Sequence, residues 1–351
     1  MISRRQFLSV SAAGLGAVLF PYSAKAAAPL TGWLSGFMDK EGRYGVAHIA
    51  PDLSAEILFY TPLRLHGIYK HPTRPLIVAP SRRPDTEMFV FDLDQQKVTV
   101  ISSAEGRHFY GHGVFSADGN TYYTTENAYD DEIGVIGAYD VTQNFKRIGE
   151  MPSGGIGPHE MKRAQDTLVI SNGGILTHPN MGRAKLNIDD MQPNLSYLDL
   201  RTGKITKQHH LPEKLNQLSI RHMDMMADGQ VFIGLQDQLK NRRDLPLVWK
   251  TQNDTLTPLS APQEGWRIFN GYIGSVRATP DSLCVASPRG GCAYVWDKTA
   301  PHKIDQKDVC GVAYARQDSF LLTSGDGVLR TLNGASRTHD LRFDNHSQFI
   351  G

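Results

Sequence analysis

The chain has 351 residues, and its 37 Lys and Arg against 36 Asp and Glu leave a net charge of +1. With no basic excess and no block of like charge, the composition excludes a nucleic-acid-binding surface and an acidic or basic tail. The three cysteines, Cys284, Cys292 and Cys310, all fall in the last fifth of the chain, and an odd count leaves at least one thiol over.

The N-terminus predicts export. Ser3-Arg4-Arg5-Gln6-Phe7-Leu8 is a twin-arginine signature, followed by a weakly apolar stretch from Phe7 to Phe20 and by the small-x-small triplet Ala24-Lys25-Ala26 that signal peptidase cuts. The apolar stretch is too short and too rich in Gly, Ala and Ser to span a bilayer in the mature protein. Residues 1–26 therefore read as a signal peptide and 27–351 as a soluble periplasmic protein without a transmembrane segment, expected as a monomer. Loss of Arg4, Arg5 and Lys25 leaves 34 basic residues facing 36 acidic ones, a net of −2. The twin-arginine route carries folded passengers, often with a cofactor already loaded, so it hints at a cofactor.

The rest of the chain is built of short alternating runs rich in Val, Ile, Tyr, Phe and Thr, punctuated by Gly, Asp, Asn and Pro. One unit recurs, in the manner of WD40-like repeats: a small or His-containing step, then four strands separated by polar turns. "HGIYKHPTRPLIVAPSRRPDTEMFVFDLDQQKVTVI" is one copy and "HGVFSADGNTYYTTENAYDDEIGVIGAYDVTQNFKRI" is the next. Starts at 66, 112, 159, 222, 275, 310 and 346 are spaced by 46, 47, 63, 53, 35 and 36 residues, which suits blades carrying loop insertions. The last start lacks partners of its own and must join "LTGWLSGFMDKEGRYGVAHIAPDL" near the N-terminus. The pattern predicts an all-β fold, a seven-bladed β-propeller closed by pairing of the N- and C-terminal strands, with no exposed sheet edge at the seam. The longest insertion, Gly173 to Asn194, is expected to cap the channel mouth.

His66, His112, His159 and His222 stand at the entrance to the first strand of their units. "LHGIY", "GHGVF" and "VCGVA" share one register, which puts Cys310 in a histidine slot; His346 and Ser275 fill the remaining two. Innermost strands surround a propeller's channel, so these seven positions are expected to form a ring at one mouth. Neutral imidazole suits Fe, Cu and Zn, and a Cys310 thiolate would favour Cu or Zn. The alternative is that each imidazole braces adjacent blades. Loops joining second and third strands should lie on the same face, and they carry Arg82, Arg83, Glu126, His178, Arg183 and Arg289; Arg221 adjoins His222. Arginine in Gly- or Pro-bounded loops suits bidentate recognition of carboxylate or phosphate. His159-Glu160 offers a base and an acid, but neighbours on a strand point to opposite faces. A cross-strand disulfide between Cys284 and Cys292 demands specific geometry. There is no G-x-S-x-G elbow, P-loop, H-E-x-x-H or dinucleotide fingerprint.

Taken in order, "GHGVFSADG", "TEN", "IGPHE", "SNGGILTHPNMGRAKLN", "LSIRHM", "YIGSV", "SPRGG", "DVCGVA" and "DNH" resemble one family of twin-arginine-exported bacterial periplasmic proteins, known as a domain of unknown function. The resemblance spans the mature chain. It implies a propeller-like fold, and genes lying near those of imelysin-type and di-haem peroxidase-like proteins, hence partners among periplasmic iron-handling proteins. The sequence thus supports an accessory propeller that binds a metal, a ligand or a partner, or alternatively a metal-dependent redox enzyme using the His ring as its active site.

Overall fold

The computed structural model describes residues 30–351 apart from 183, 240–243, 299 and 317–318, so the export signature of residues 1–26 lies outside the described residues. The strands form seven four-stranded antiparallel sheets arranged in a ring, a seven-bladed β-propeller. Named in chain order, blades one to seven have the innermost strands Tyr69–Lys70, Arg107–Phe115, Pro158–Ala164, Leu218–Met225, Ser275–Ala278, Val309–Ala315 and Arg342–Phe349. Six of the expected starts fall inside these strands. His66 lies just ahead of Tyr69, where Leu65 bridges to Ser81.

The two ends of the chain close the ring. Arg342–Phe349 pairs antiparallel with Trp33–Met38, placing Trp33 opposite Phe349 and Phe37 opposite Phe343, and Tyr44–Ile49 and Ala55–Thr61 complete the blade. Inner strands are buried on both faces because each sheet packs between two others, and their sequences are correspondingly continuous in apolar residues: Leu76–Pro80 is buried throughout. Leu76, Val78 and Met88 of blade one meet Phe109, Phe115 and Tyr122 of blade two; Ala313, Leu321 and Leu329 of blade six meet Trp33 and Phe37 of blade seven. Each large side chain so buried contributes about 1.5–3 kcal/mol. Outermost strands such as Lys204–His210 alternate instead, with one face wet.

One irregularity positions the site. An inner strand offers its side chains to the neighbouring blades and only its backbone edge to the channel, so regular pleating keeps side chains out of the axis. A β-bulge breaks that alternation and re-aims a side chain. Register shifts fall between Phe109 and Gly113, Pro158 and Met161, Ile220 and His222, Val309 and Gly311, and across Phe343–Ser347, bracketing or ending on His112, His159, His222, Cys310 and His346. Blade one behaves alike: Leu65 faces Ser81 and Tyr69 faces Val78, four steps against three around His66.

The long insertion between Thr167–Asn172 and Asn194–Asp199 folds on itself, Asn187 Oδ1 accepting from Leu176 N at 2.7 Å and Asn187 Nδ2 donating to Gly174 O at 2.9 Å. It leans on blade two, where Asn127 Nδ2 donates to Thr177 O at 2.9 Å. The three cysteines are free thiols: Cys284 faces Val295 and Cys292 faces Ser287, so the two are out of register for a bridge. No described helix is long and apolar enough to cross a membrane.

Candidate metal centre in the central channel

Five imidazoles converge on the axis. Ring centroids run His66–His112 4.6 Å, His112–His159 4.8 Å, His159–His222 4.8 Å, His222–His346 4.9 Å and His346–His66 4.7 Å, closing a circuit. His112 and His346 also approach across it at 4.5 Å. The glycines of "GHG" make room. Gly111 has φ +96°, and a Cβ there would lie 2.6 Å from His66 Cβ, while one on Gly113 would lie 2.2 Å from the Tyr122 hydroxyl.

Two overlapping sets of donor atoms result, His112 with Glu160, His222 and His346, and His66 with His112 and His159; within each set the atoms lie within 4.8 Å of one another. Glu160 joins the first set although sequence periodicity turns it away from His159. The bulge between Pro158 and Met161 removes the alternation on which that expectation rests, and both side chains are buried in the channel. His222 Nδ1 stands 3.5 Å from Glu160 Oε2, and the Tyr69 hydroxyl lies 2.9 Å from His112 Nδ1. With Tyr69 as acceptor, His112 carries its proton on Nδ1 and offers Nε2 to an ion.

The electrostatics suit a cation's ligands. Burial, and then the positive neighbours, hold His66, His159 and His346 well below the usual 6.5; His222 is lowered by burial against the pull of Glu160, and His112 is pushed down to about 3. The ring is therefore neutral at physiological pH. Burial alone would raise Glu160, but Lys162 (3.1 Å), His222, His112 and Arg277 (3.8 Å) hold it well below the carboxylate range, and Met223 N donates to it at 3.1 Å. Neutral imidazoles and an ionised carboxylate are the forms that bind metal.

The imidazoles make few bonds between blades: His112 meets Tyr69 of blade one, and His222 meets Glu160 of blade three. Among the described residues, His66 Nδ1, His112 Nε2, both nitrogens of His159 and His346 Nε2 are buried without a hydrogen-bond partner, and His222 Nδ1 has only the Glu160 carboxylate at 3.5 Å. Hydroxyls tie the inner strands instead. Ser171 Oγ donates to Arg221 O at 2.7 Å, Thr125 Oγ1 lies 3.2 Å from His112 O and 3.3 Å from His159 O, and Ser275 Oγ accepts from Val312 N at 3.1 Å. Cys310 shares this bracing role: its Sγ lies 3.4 Å from Phe343 O, and among the described residues it joins neither donor set.

Above the ring is a cavity of about 510 Å³, with His66, His159 and His222 in its lining. Arg82, Arg83, Arg221 and Arg289 line it too, as does Lys185 from the long insertion. Burial, reinforced by Arg83, brings Arg221 down to about 9, and burial likewise lowers Arg83. The remaining expected ligands lie elsewhere. Glu126 is buried inside blade two, accepting from Thr124 Oγ1 at 2.6 Å, the Tyr139 hydroxyl at 2.8 Å and Arg147 Nη2 at 3.0 Å. His178 caps the turn Pro179–Met181, its Nδ1 accepting from Asn180 N at 3.2 Å, and Arg183 lies outside the described residues. The sequence names Glu160 only as a neighbour turned away from His159, and it offers no signal for the cavity's aromatic residues Tyr110 and Tyr272. Only the adjacency "HE" signalled Glu160.

A family model described as "Protein of unknown function (DUF1513)" matches residues 59–350. The chain belongs to that family. Its membership agrees with the resemblance drawn from the motifs, and by its own description the family carries no chemistry to transfer. No curated protein matched the chain. Among solved structures, a chain of the "Crystal Structure of Mitotic Checkpoint Complex" is similar with a TM-score of 0.56, covering 94% of this chain and 92% of that one at 12% identity. At that identity the likeness is one of fold alone.

Proposed function

We propose that this propeller is an exported periplasmic accessory protein that holds a transition metal, or a metal-bearing ligand, in the imidazole ring of its channel. One observation carries the reading: six buried nitrogens of the five imidazoles lack a hydrogen bond among the described residues, and the same side chains supply two sets of donor atoms within 4.8 Å of one another. Leaving a buried polar group unpaired costs about 1–3 kcal/mol, and a bound ion relieves that cost for several groups at once. Three imidazoles and a carboxylate without a thiolate suit iron or zinc better than Cu(I). A role in iron handling accords with that donor set and with the family resemblance. Periplasmic placement rests on Ser3-Arg4-Arg5-Gln6-Phe7-Leu8. The test is metal analysis of the mature protein purified from the periplasm, beside a His112→Ala, His222→Ala double variant. Stoichiometric iron, copper or zinc in the wild type, lost in the variant with an unchanged circular dichroism spectrum, supports the reading. Wild-type protein with no metal above background, even after incubation with each ion, overturns it.

A further inference from the structure

Among the described residues the arginines over the ring form no ion pair. Among the described residues none of Arg82, Arg83, Arg221 and Arg289 has a carboxylate within 4.0 Å. Arg221 and Arg83 are each only 7% exposed. Among the described residues Arg221 Nη1 has no partner, and its Nε reaches only Gln236 Oε1, at 3.5 Å. A buried cation left unpaired is expensive, by several kcal/mol for each ion, and folds normally supply a carboxylate. Here the structure supplies aromatic faces instead. Arg289 lies 4.4 Å over the Tyr272 ring and Arg83 lies 5.9 Å from that of Tyr110, and both tyrosines line the same cavity. Stacking fixes a guanidinium plane while leaving its N–H fork free.

We propose that this cavity binds a small molecule bearing two or more oxyanion groups, its charges met by Arg82, Arg83, Arg221 and Arg289. Planar forks pair bidentately with carboxylate or phosphate, which explains why arginine rather than lysine supplies most of the charge. Four arginines drawn from three blades exceed what one monoanion can engage. The volume of about 510 Å³ is that of a small-molecule site, far larger than a single inorganic ion requires. Among the described residues the one carboxylate in the lining is Asp237, which accepts from Leu239 N at 3.0 Å. His66, His159 and His222 lie in the same lining, so the inner end of the anion reaches the imidazoles.

The proposal goes beyond the metal reading and stands without it, so the test uses metal-free mature protein, prepared with phenanthroline because a polycarboxylate chelator would compete for the cavity. Titration calorimetry with citrate, pyrophosphate and acetate should show one-to-one binding of citrate or of pyrophosphate, weakening steeply with added salt, and acetate weaker by at least a hundredfold. Tight citrate identifies a polycarboxylate ligand; tight pyrophosphate identifies a phosphate-bearing one. Arg83→Gln, Arg221→Gln and the exposed Arg289→Gln should each weaken binding at least tenfold. Arg221→Gln should also melt no lower than wild type, because it removes a buried unpaired charge; an arginine kept for packing would lose stability. Absence of binding by all three anions, acetate binding as well as citrate, or affinity unchanged in all three variants overturns the proposal.

Discussion

Gly111→Ala is the sharpest probe of how the ring is packed. The backbone there has φ +96°, and the new methyl would lie 2.6 Å from His66 Cβ and 2.9 Å from its ring. Two costs add: about 1–2 kcal/mol for an L-residue at positive φ, and about 1–3 kcal/mol for overpacking a filled site. For about 320 ordered residues the unfolding entropy is near 0.7 kcal/mol/K, so the melting temperature should fall by about 3–7 °C. Gly42→Ala is the control, since Gly42 has φ +77° with nothing within 4 Å of the added methyl. It carries the backbone cost alone, about 2–3 °C. Thermal unfolding of metal-free protein followed by circular dichroism reads both. Because the methyl displaces His66, Gly111→Ala should also lower metal affinity, and Gly42→Ala should not. Equal losses in the two variants, with equal metal affinity, would refute the close packing of Gly111 on His66.

Metal-free protein should be acid-labile. The ring histidines have lower pKa values folded than unfolded, so below about pH 6.5 the unfolded chain binds more protons and stability falls with pH. For His112, at about 3 against 6.5, the loss by pH 5 is about 2 kcal/mol. A melting temperature unchanged between pH 7.5 and 5 contradicts a neutral buried ring. Inside blade two, Arg147→Met strands the buried Glu126 carboxylate and should cost about 3–5 kcal/mol in urea unfolding, whereas the double change with Glu126→Gln should cost much less. Equal losses in the single and double variants would show that the pair is not coupled. The thiols should resist iodoacetamide at pH 8 in the native state and all react in guanidinium, since burial raises Cys284 and Cys310 strongly and Cys292 to about 11. Rapid native labelling of any of them contradicts their burial.

The propeller was legible because its determinants are local. Alternation, Asp-Gly turns and the shared register of "LHGIY", "GHGVF" and "VCGVA" survive in a single chain, and the fold's symmetry converts that register into a ring. The bulges were not legible, since an extra residue in one strand is defined only against its partner. That is why Glu160, read by a period of two, was set aside while it in fact faces three imidazoles. Cys310 shows the converse. Its slot was correctly aligned, but the slot does not dictate direction, and its thiol turns to the Phe343 carbonyl. Glu126 sits where a loop residue would meet a ligand, yet Arg147, 21 positions onward, draws its carboxylate into the blade. The cavity's charge is visible as scattered arginines, but that no described carboxylate pairs with them is a property of the folded surroundings alone.

X-ray absorption at the K-edge of the bound metal, on mature protein loaded with iron or zinc, reads whether the imidazole ring and Glu160 hold the ion. The ring should give a first shell of nitrogen and oxygen only, near 2.0–2.1 Å for zinc, with the outer-shell scattering of several imidazoles and a carboxylate, all lost in the His112→Ala, His222→Ala variant. A sulfur scatterer near 2.3 Å, or a spectrum unaltered by that double replacement, would contradict it.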